Sequence, residues 1–430
     1  MIENLLLIFT TSILVSFFVR KNKQLSKAVI LTALLVTGIL SLTHDPASHY
    51  LDALSAFLIA FCLLSSLPLI VYSKESWEKL VLYETIIFSC FLLSFSENFF
   101  LFYVLFETII ISSSIAVYNA TKESLKAAEK YLIINLLGST LTMTGIALNF
   151  SYTSSLNPTS TTPLLIAILI LMGLIVKSAL FPFHVWLPDV YSSSSIPTAA
   201  VFSGIIINLG FFGIFKYANF IQARPLLLVL AAASMLYAGI RGLTEWDIRK
   251  LIAYSSIIHV GYITLGISAA ISQAPALLHM FNHGIAKTLM FLSLGLITTR
   301  TSFTDLRKLK GYARNIAGAC FLISVLAVAG IPPTNCFVSE VAIIVSVLDS
   351  GKIIPVAVML ASYLLAMIFY LRIIYFLFFS KGKSKKIIKK YSWKKLLPVL
   401  FLTVLVLIFG IFPSALFKFS EAAAGFIPAL

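Results

Sequence analysis

Charge is what this 430-residue chain has least of. Only 11% of its residues are Asp, Glu, Lys or Arg, whereas a soluble domain carries about 25% and a designed water-facing surface roughly a quarter to a third. That shortage excludes a soluble globular protein and a disordered one. It also excludes a nucleic-acid-binding domain, despite a formal net charge of +15. Cysteine is equally scarce. Cys62, Cys90, Cys320 and Cys336 lie far apart, without a CxxC pair or metal-like spacing. Each sits in or beside an apolar run and reads as a packing residue. A GxxxxGK[ST] phosphate loop is missing, as is any haem or iron–sulfur ligand pattern, so no cofactor is expected in this chain. No Lys or Arg precedes the first apolar run; Arg20 and Lys21 follow it. A secretory signal has the opposite order, so the run is expected to persist as a helix.

Apolar residues fill the space that charge leaves. They make up 59% of the chain, with a mean hydropathy of +0.99. Fourteen apolar runs are separated by polar breaks, at about 2–19, 27–43, 53–73, 79–96, 98–118, 130–150, 163–184, 197–215, 225–240, 251–271, 274–298, 315–347, 354–379 and 396–416. Most approach the roughly 20 residues that cross a 30 Å hydrocarbon core. The fold expected is an all-α polytopic membrane protein of about fourteen transmembrane helices. Pro182 interrupts the seventh run, and Pro332 with Pro333 the twelfth. Proline removes a helical hydrogen bond and clashes with the preceding turn, so both helices should break. Broken backbone at membrane depth is tolerated where it is buried in protein or lines a wet cavity.

The cations then sort by side. The loops after odd-numbered runs hold 25 of the 32 Lys and Arg residues; those after even-numbered runs hold only Lys216, Arg224 and Lys352. Positive loops face the cytoplasm, which places both termini outside the cell membrane. Eight lysines between Lys381 and Lys395 are interleaved with Ile387, Ile388, Tyr391 and Trp393. That segment suits anionic lipid or a partner, and equally a simple orientation signal.

Few titratable residues remain inside the runs: Glu84, Glu107, Lys177, His259, His279, His283, Lys287, Glu340 and Arg372. Ionisable groups are costly at membrane depth, so each is a functional candidate. Glu84 and Arg372 are accessory candidates, since Glu84 lies near a helix start and Arg372 can snorkel or serve a neighbouring backbone. Glu107 and Lys177 sit alone among apolar residues. As a pair with variable spacing they would switch the protonation of the lysine; as a fixed pair they would be structural. His279, His283 and Lys287 form one helical stripe at four-residue intervals. Two histidines at that spacing can bind metal, but no Glu-rich or Cys-rich element lies nearby and Lys287 opposes a cation, so no metal is expected. Imidazoles carry protons on either nitrogen, and bridging waters would make the stripe a proton wire.

The segments VKSALFPFHVWLPDVYSSSSIPTAA (176–200), DIRKLIAYSSIIHVGYITLG (247–266), HMFNHGIAKTLMFLSLG (279–295) and AGIPPTNCFVSE (329–340) resemble the antiporter-like subunits of respiratory complex I, energy-converting membrane hydrogenases and Mrp-type sodium/proton antiporters. The resemblance covers roughly residues 50 to 380. It implies two inverted five-helix repeats, each containing one broken helix, and a division into 1–78, 79–218, 219–380 and 381–430. It also implies that Glu107 is the glutamate of the family's fifth helix and Lys177 its lysine partner in the seventh. Lys287 matches the central lysine of the eleventh helix, His259 a position that is often polar, and Glu340 the terminal group of the twelfth. One position departs: Asn208 stands where many relatives carry lysine, and Lys216, two turns on, is a poor substitute.

The function expected is a proton-translocating or sodium/proton-coupling subunit of a larger respiratory or hydrogenase-type complex. Its partners would be redox subunits, related antiporter-like subunits and lipid, and it would have no redox or hydrolytic centre of its own. The competing expectations are a stand-alone cation/proton antiporter or solute transporter, and a membrane-embedded enzyme or quinone-site subunit.

Overall fold

The computed structural model describes residues 2–43, 52–159, 162–217, 223–298, 303–381 and 391–425. The lysine-rich segment 382–390 lies outside them. Among the described residues the chain is helical, and its only β feature is an isolated bridge between Asp247 and Asp305.

The first six helices are α1 (Ile2–Phe18), α2 (Lys23–Thr43), α3 (Ala53–Tyr72), α4 (Trp77–Ser94), α5 (Phe99–Val117) and α6 (Lys122–Thr153). The seventh run then splits into α7 (Leu164–Lys177), a 3-10 turn at Phe183–Trp186 and α8 (Leu187–Ser193). Next come α9 (Ile196–Val201), a π turn at Phe202–Ile206 and α10 (Ile207–Tyr217), which run on as one span. They are followed by α11 (Arg224–Thr244), α12 (Ile248–Ala269) and α13 (Ala274–Thr298). The twelfth run splits into α14 (Ile316–Val328) and α15 (Asn335–Asp349); α16 (Ile353–Ile374), α17 (Trp393–Ile411) and α18 (Ser414–Ala424) complete the chain.

Side-chain caps explain several starts. Asp52 accepts from Ser55 N at 2.6 Å, Asn98 from Leu101 N at 2.9 Å and Asp247 from Arg249 N at 2.8 Å. Capping also corrects the sixth boundary. Hydropathy places that start near residue 130, but Thr121 and Ser124 form a reciprocal cap that begins the helix at Lys122. At 32 residues α6 is about 48 Å long, longer than a hydrocarbon core, so its charged first turns extend beyond it. The last run, expected whole over 396–416, is divided instead. Pro413 has no N–H to continue the ladder, and α17 ends at Ile411.

Among the described residues, ten helical segments are long and apolar enough to cross a bilayer, and α1, α7 and α14 are shorter apolar helices. Three of the ten are enclosed by protein along their whole apolar length: Ile196–Tyr217, α12 and α13. Large side chains on outer helices, such as Phe18, Ile133, Ile354, Leu364 and Phe379, are exposed. A lipid-facing belt therefore surrounds a buried centre. That centre is where the polar residues collect.

Candidate functional site

Lys177 is the last residue of α7, and the chain leaves helical geometry immediately after it. A helix C-terminus carries partial negative charge, which favours a cation there. The Lys177 ammonium is buried; its Nζ donates to Glu107 Oε1 of α5 at 2.7 Å and to Ser139 Oγ of α6 at 3.1 Å. Ser139 Oγ in turn donates to the same Glu107 oxygen at 2.6 Å. The Lys177 ammonium also lies 4.6 Å from the centre of the Phe106 ring. Glu107 is less enclosed than its partner, with 22% of its side chain exposed against 2% for Lys177. The two residues that the apolar runs isolated are therefore one ion pair, and Ser139 is its third member.

The second break is built by two prolines. A helical N–H at 332 would serve the carbonyl of 328, and one at 333 the carbonyl of 329. Proline supplies neither. Both carbonyls are instead met by side chains: His259 Nε2 lies 2.9 Å from Val328 O, and Tyr363 OH donates to Ala329 O at 2.6 Å. Gly330 turns the chain with φ +58°, and a Cβ there would collide with Glu340 Oε2. The break thus both orients His259 and makes room for Glu340.

The Val328 contact fixes the protons around His259. A carbonyl only accepts, so Nε2 carries the proton and neutral imidazole leaves Nδ1 as an acceptor. Nδ1 lies 3.0 Å from His279 Nε2, which must then donate. His279 Nδ1 is left as an acceptor 2.9 Å from Ser339 Oγ, whose single hydroxyl hydrogen also has Cys336 O within reach at 3.0 Å. Glu340 Oε1 stands 3.7 Å from the same His259 Nδ1 and has no hydrogen bond of its own. An ionised carboxylate facing an imidazole lone pair is unfavourable unless a proton sits between them. The trio is therefore a place where one proton can be held or passed.

Lys287, one turn beyond His283 on α13, does not bond along its own stripe. Its ammonium donates across to α12, to Ile252 O at 3.1 Å and to Ser255 Oγ. Ser255 Oγ is 2.7 Å from Tyr370 OH, and Tyr370 OH stands 3.5 Å from His259 Nε2. Lys287, Ser255, Tyr370, His259 and His279 thus form a buried polar path with Glu340 at its end. His283 stacks against His259 with ring centres 4.9 Å apart, yet among the described residues neither of its nitrogens has a hydrogen-bond partner. The direct hydrogen bonds of His279 and Lys287 thus run across to α12 and α15 rather than along α13.

A match to the NADH:quinone oxidoreductase/Mrp antiporter transmembrane family covers residues 96–366, which includes every member of this path except Tyr370. The chain belongs to that family. It is 29% identical over 350 residues to a Na(+)/H(+) antiporter subunit of Alkalihalophilus pseudofirmus, spanning 76% of this chain and 71% of the relative. It is 30% identical over 289 residues to an NADH-quinone oxidoreductase subunit of Desulforudis audaxviator, spanning 61% and 58%. Its fold matches a chain of the membrane-bound sulfane sulfur reductase, an archaeal respiratory membrane complex, with a TM-score of 0.87, 22% identity and coverage of 99% and 98%. With these relatives, the chain is an ion-translocating, multi-pass membrane subunit.

Asn208 follows the π turn and donates through Nδ2 to Gly204 O at 3.1 Å, while its Oδ1 has no partner. Among the described residues the buried hydroxyl of Tyr191 also has no hydrogen-bond partner. Among the described residues, no direct hydrogen bond joins Glu107, Ser139 or Lys177 to Lys287, Ser255, Tyr370, His259 or His279. Lys216 does not fill the gap: its Nζ donates to Ser94 O, at the far end of α4. Glu84 is buried with both carboxyl oxygens unbonded and joins neither half. Arg372 donates to Gly242 O, Leu243 O and Glu245 O at 2.6–2.8 Å, so it caps the C-terminus of α11.

Residue spacing missed Ser139, Ser255, Ser339, Tyr363 and Tyr370, because Ser and Tyr are ordinary within membrane helices. It also missed what surrounds His279. Further ligand-type groups do arrive, from other helices: His259, His279 and Glu340 offer three atoms within 4.8 Å of one another.

Proposed function

We propose that this subunit translocates protons, or couples protons to sodium, by electrostatic switching along the buried path, as part of a larger respiratory or antiporter complex. The observation that carries this reading is the Lys177–Glu107 ion pair at the end of a broken helix. Closing the pair favours a charged Lys177; opening it favours release of the proton, because a buried ammonium without its carboxylate is poorly solvated. The released proton would pass the region around Asn208 toward Lys287, and then through Ser255, Tyr370 and His259 to Glu340. Water would complete the centre, where a polar group without a protein partner, Asn208 Oδ1, awaits a donor.

The same reading takes the helices as fourteen crossings, with two inverted five-helix repeats over 79–218 and 219–380, each containing one of the breaks. Both termini lie outside the cell membrane, because the 25 loop cations mark the opposite side. The chain holds no redox cofactor in this scheme, and the driving reaction belongs to partner subunits. The experiment is ion transport by the native complex in sealed vesicles. Lys177→Ala should abolish coupled transport while the complex still assembles. Glu107→Gln should do the same. Normal transport in the Lys177→Ala complex would overturn the switch, and a Glu107→Gln chain that only lost stability would mark the pair as structural.

A further inference from the structure

His259, His279 and Glu340 come from three helices, α12, α13 and α15. Their inner atoms converge: Nδ1 of His259 lies 3.0 Å from Nε2 of His279 and 3.7 Å from Oε1 of Glu340, and all three ligand atoms lie within 4.8 Å of one another. Only one hydrogen bond is available to these three atoms, between the two imidazoles. The carboxylate oxygen has none, and the residue is buried, with a relative exposure of 5%.

The outer atoms are arranged as well. His259 Nε2 is held by Val328 O, and His279 Nδ1 by Ser339 Oγ at 2.9 Å. Metal-bound histidines characteristically donate their second N–H to a carbonyl or another polar group, which fixes the ring and presents the other nitrogen. Only one proton shift is needed here, with His279 Nδ1–H turned to donate to Ser339 Oγ. Both inner nitrogens are then free lone pairs beside the free carboxylate oxygen. Zinc binds nitrogen and carboxylate oxygen at about 2.0–2.2 Å, so tetrahedral ligand atoms stand about 3.4 Å apart. The nitrogen–nitrogen and nitrogen–oxygen separations measured from His259 Nδ1 therefore need shifts of only a few tenths of an ångström. His283, stacked on His259, lies outside this group of three ligand atoms, so the fourth position is left for water.

We infer that His259, His279 and Glu340 form a binding site for a divalent transition metal of the zinc class. A metal bound there occupies the Nδ1 and Oε1 atoms between which a proton would otherwise pass. It therefore closes the path from Lys287 to Glu340, a consequence that rests on the function proposed above, whereas the binding itself does not. Protons and metal compete for the same lone pairs, so binding weakens as pH falls. The Lys287 ammonium, directed to Ile252 O and Ser255 Oγ, opposes the cation and keeps the site exchangeable.

The test is titration of the full chain, freed of any histidine tag, with zinc by calorimetry and with cobalt by its visible absorption. One saturable site is expected, with the intense visible bands of tetrahedral cobalt. Glu340→Gln and His279→Gln should each weaken binding by at least about tenfold. Ser339→Ala, which keeps all three ligands, should weaken it while leaving the stoichiometry at one. Glu107→Gln should bind as the unaltered chain does. Absence of a saturable site, wild-type affinity in Glu340→Gln, or an equal loss in Glu107→Gln would overturn the assignment. Zinc that binds in this pattern without slowing transport would uphold the site and count against the proton path.

Discussion

Tyr370 is the residue on which the second half of the path depends. Its hydroxyl is 2.7 Å from Ser255 Oγ and 3.5 Å from His259 Nε2, so it is the neutral link between an ammonium and an imidazole. Tyr370→Phe keeps the ring and its packing but removes that link. Groups that relay protons commonly contribute about 10²–10⁴-fold to a rate, so transport in vesicles should fall by at least about tenfold in an assembled complex. An unchanged rate would show that water alone joins Lys287 to His259. At this scale the sequence is half legible. Glu107, Lys177, His279 and Lys287 announce themselves, because an ionisable group in an apolar run has few structural excuses. Tyr370 and Ser255 do not, since a hydroxyl in a membrane helix often just bonds back to its own turn, as Ser256 does to Ile252 O. Only the facing helix distinguishes the two cases.

The broken element between α14 and α15 ties local backbone to the site. Gly330 takes a positive φ of +58°, where an L-residue is disfavoured by roughly 1–2 kcal/mol, and its missing Cβ leaves room for the Glu340 carboxylate. Gly330→Ala should therefore do two things at once: lower thermal stability slightly and displace Glu340, with transport lost more severely than stability. A variant with normal transport would mean that Glu340 can move without consequence. The proline signal for this break is plain in the sequence. Less plain is which groups take over the orphaned carbonyls, because His259 and Tyr363 lie about 70 and 30 residues away along the chain. The start of α6 shows the opposite failure: hydropathy conceals eight residues of helix that the Thr121 cap begins.

The whole molecule places a protein-enclosed trio of spans inside a ring of helices whose outer faces are apolar. Its orientation can be checked at one helix. α16 has 22 residues, about 33 Å of rise. Lys352 precedes its first residue, and Gly311 N bonds to Phe376 O just past its other end, so Lys310 and Lys352 lie at opposite ends. A cysteine replacing Lys310 should react with a membrane-impermeant thiol reagent only from the cytoplasmic side, and one replacing Lys352 only from outside. Reversed labelling would invert the topology. The fold class and helix order are largely readable, because bilayer thickness imposes a run length and loop charge imposes a side. Interruptions set by turns, such as the π turn before Asn208, carry no such uniform signal.

The carbonyl that steadies His259 belongs to Val328, but Val328 does not specify it. The side chain there takes no part in the contact, so the position is free to drift among apolar residues of similar size. The instruction is written four residues later, at Pro332, whose absent N–H leaves that oxygen for the imidazole. The proposed proton path would thus depend partly on residues that never touch a proton.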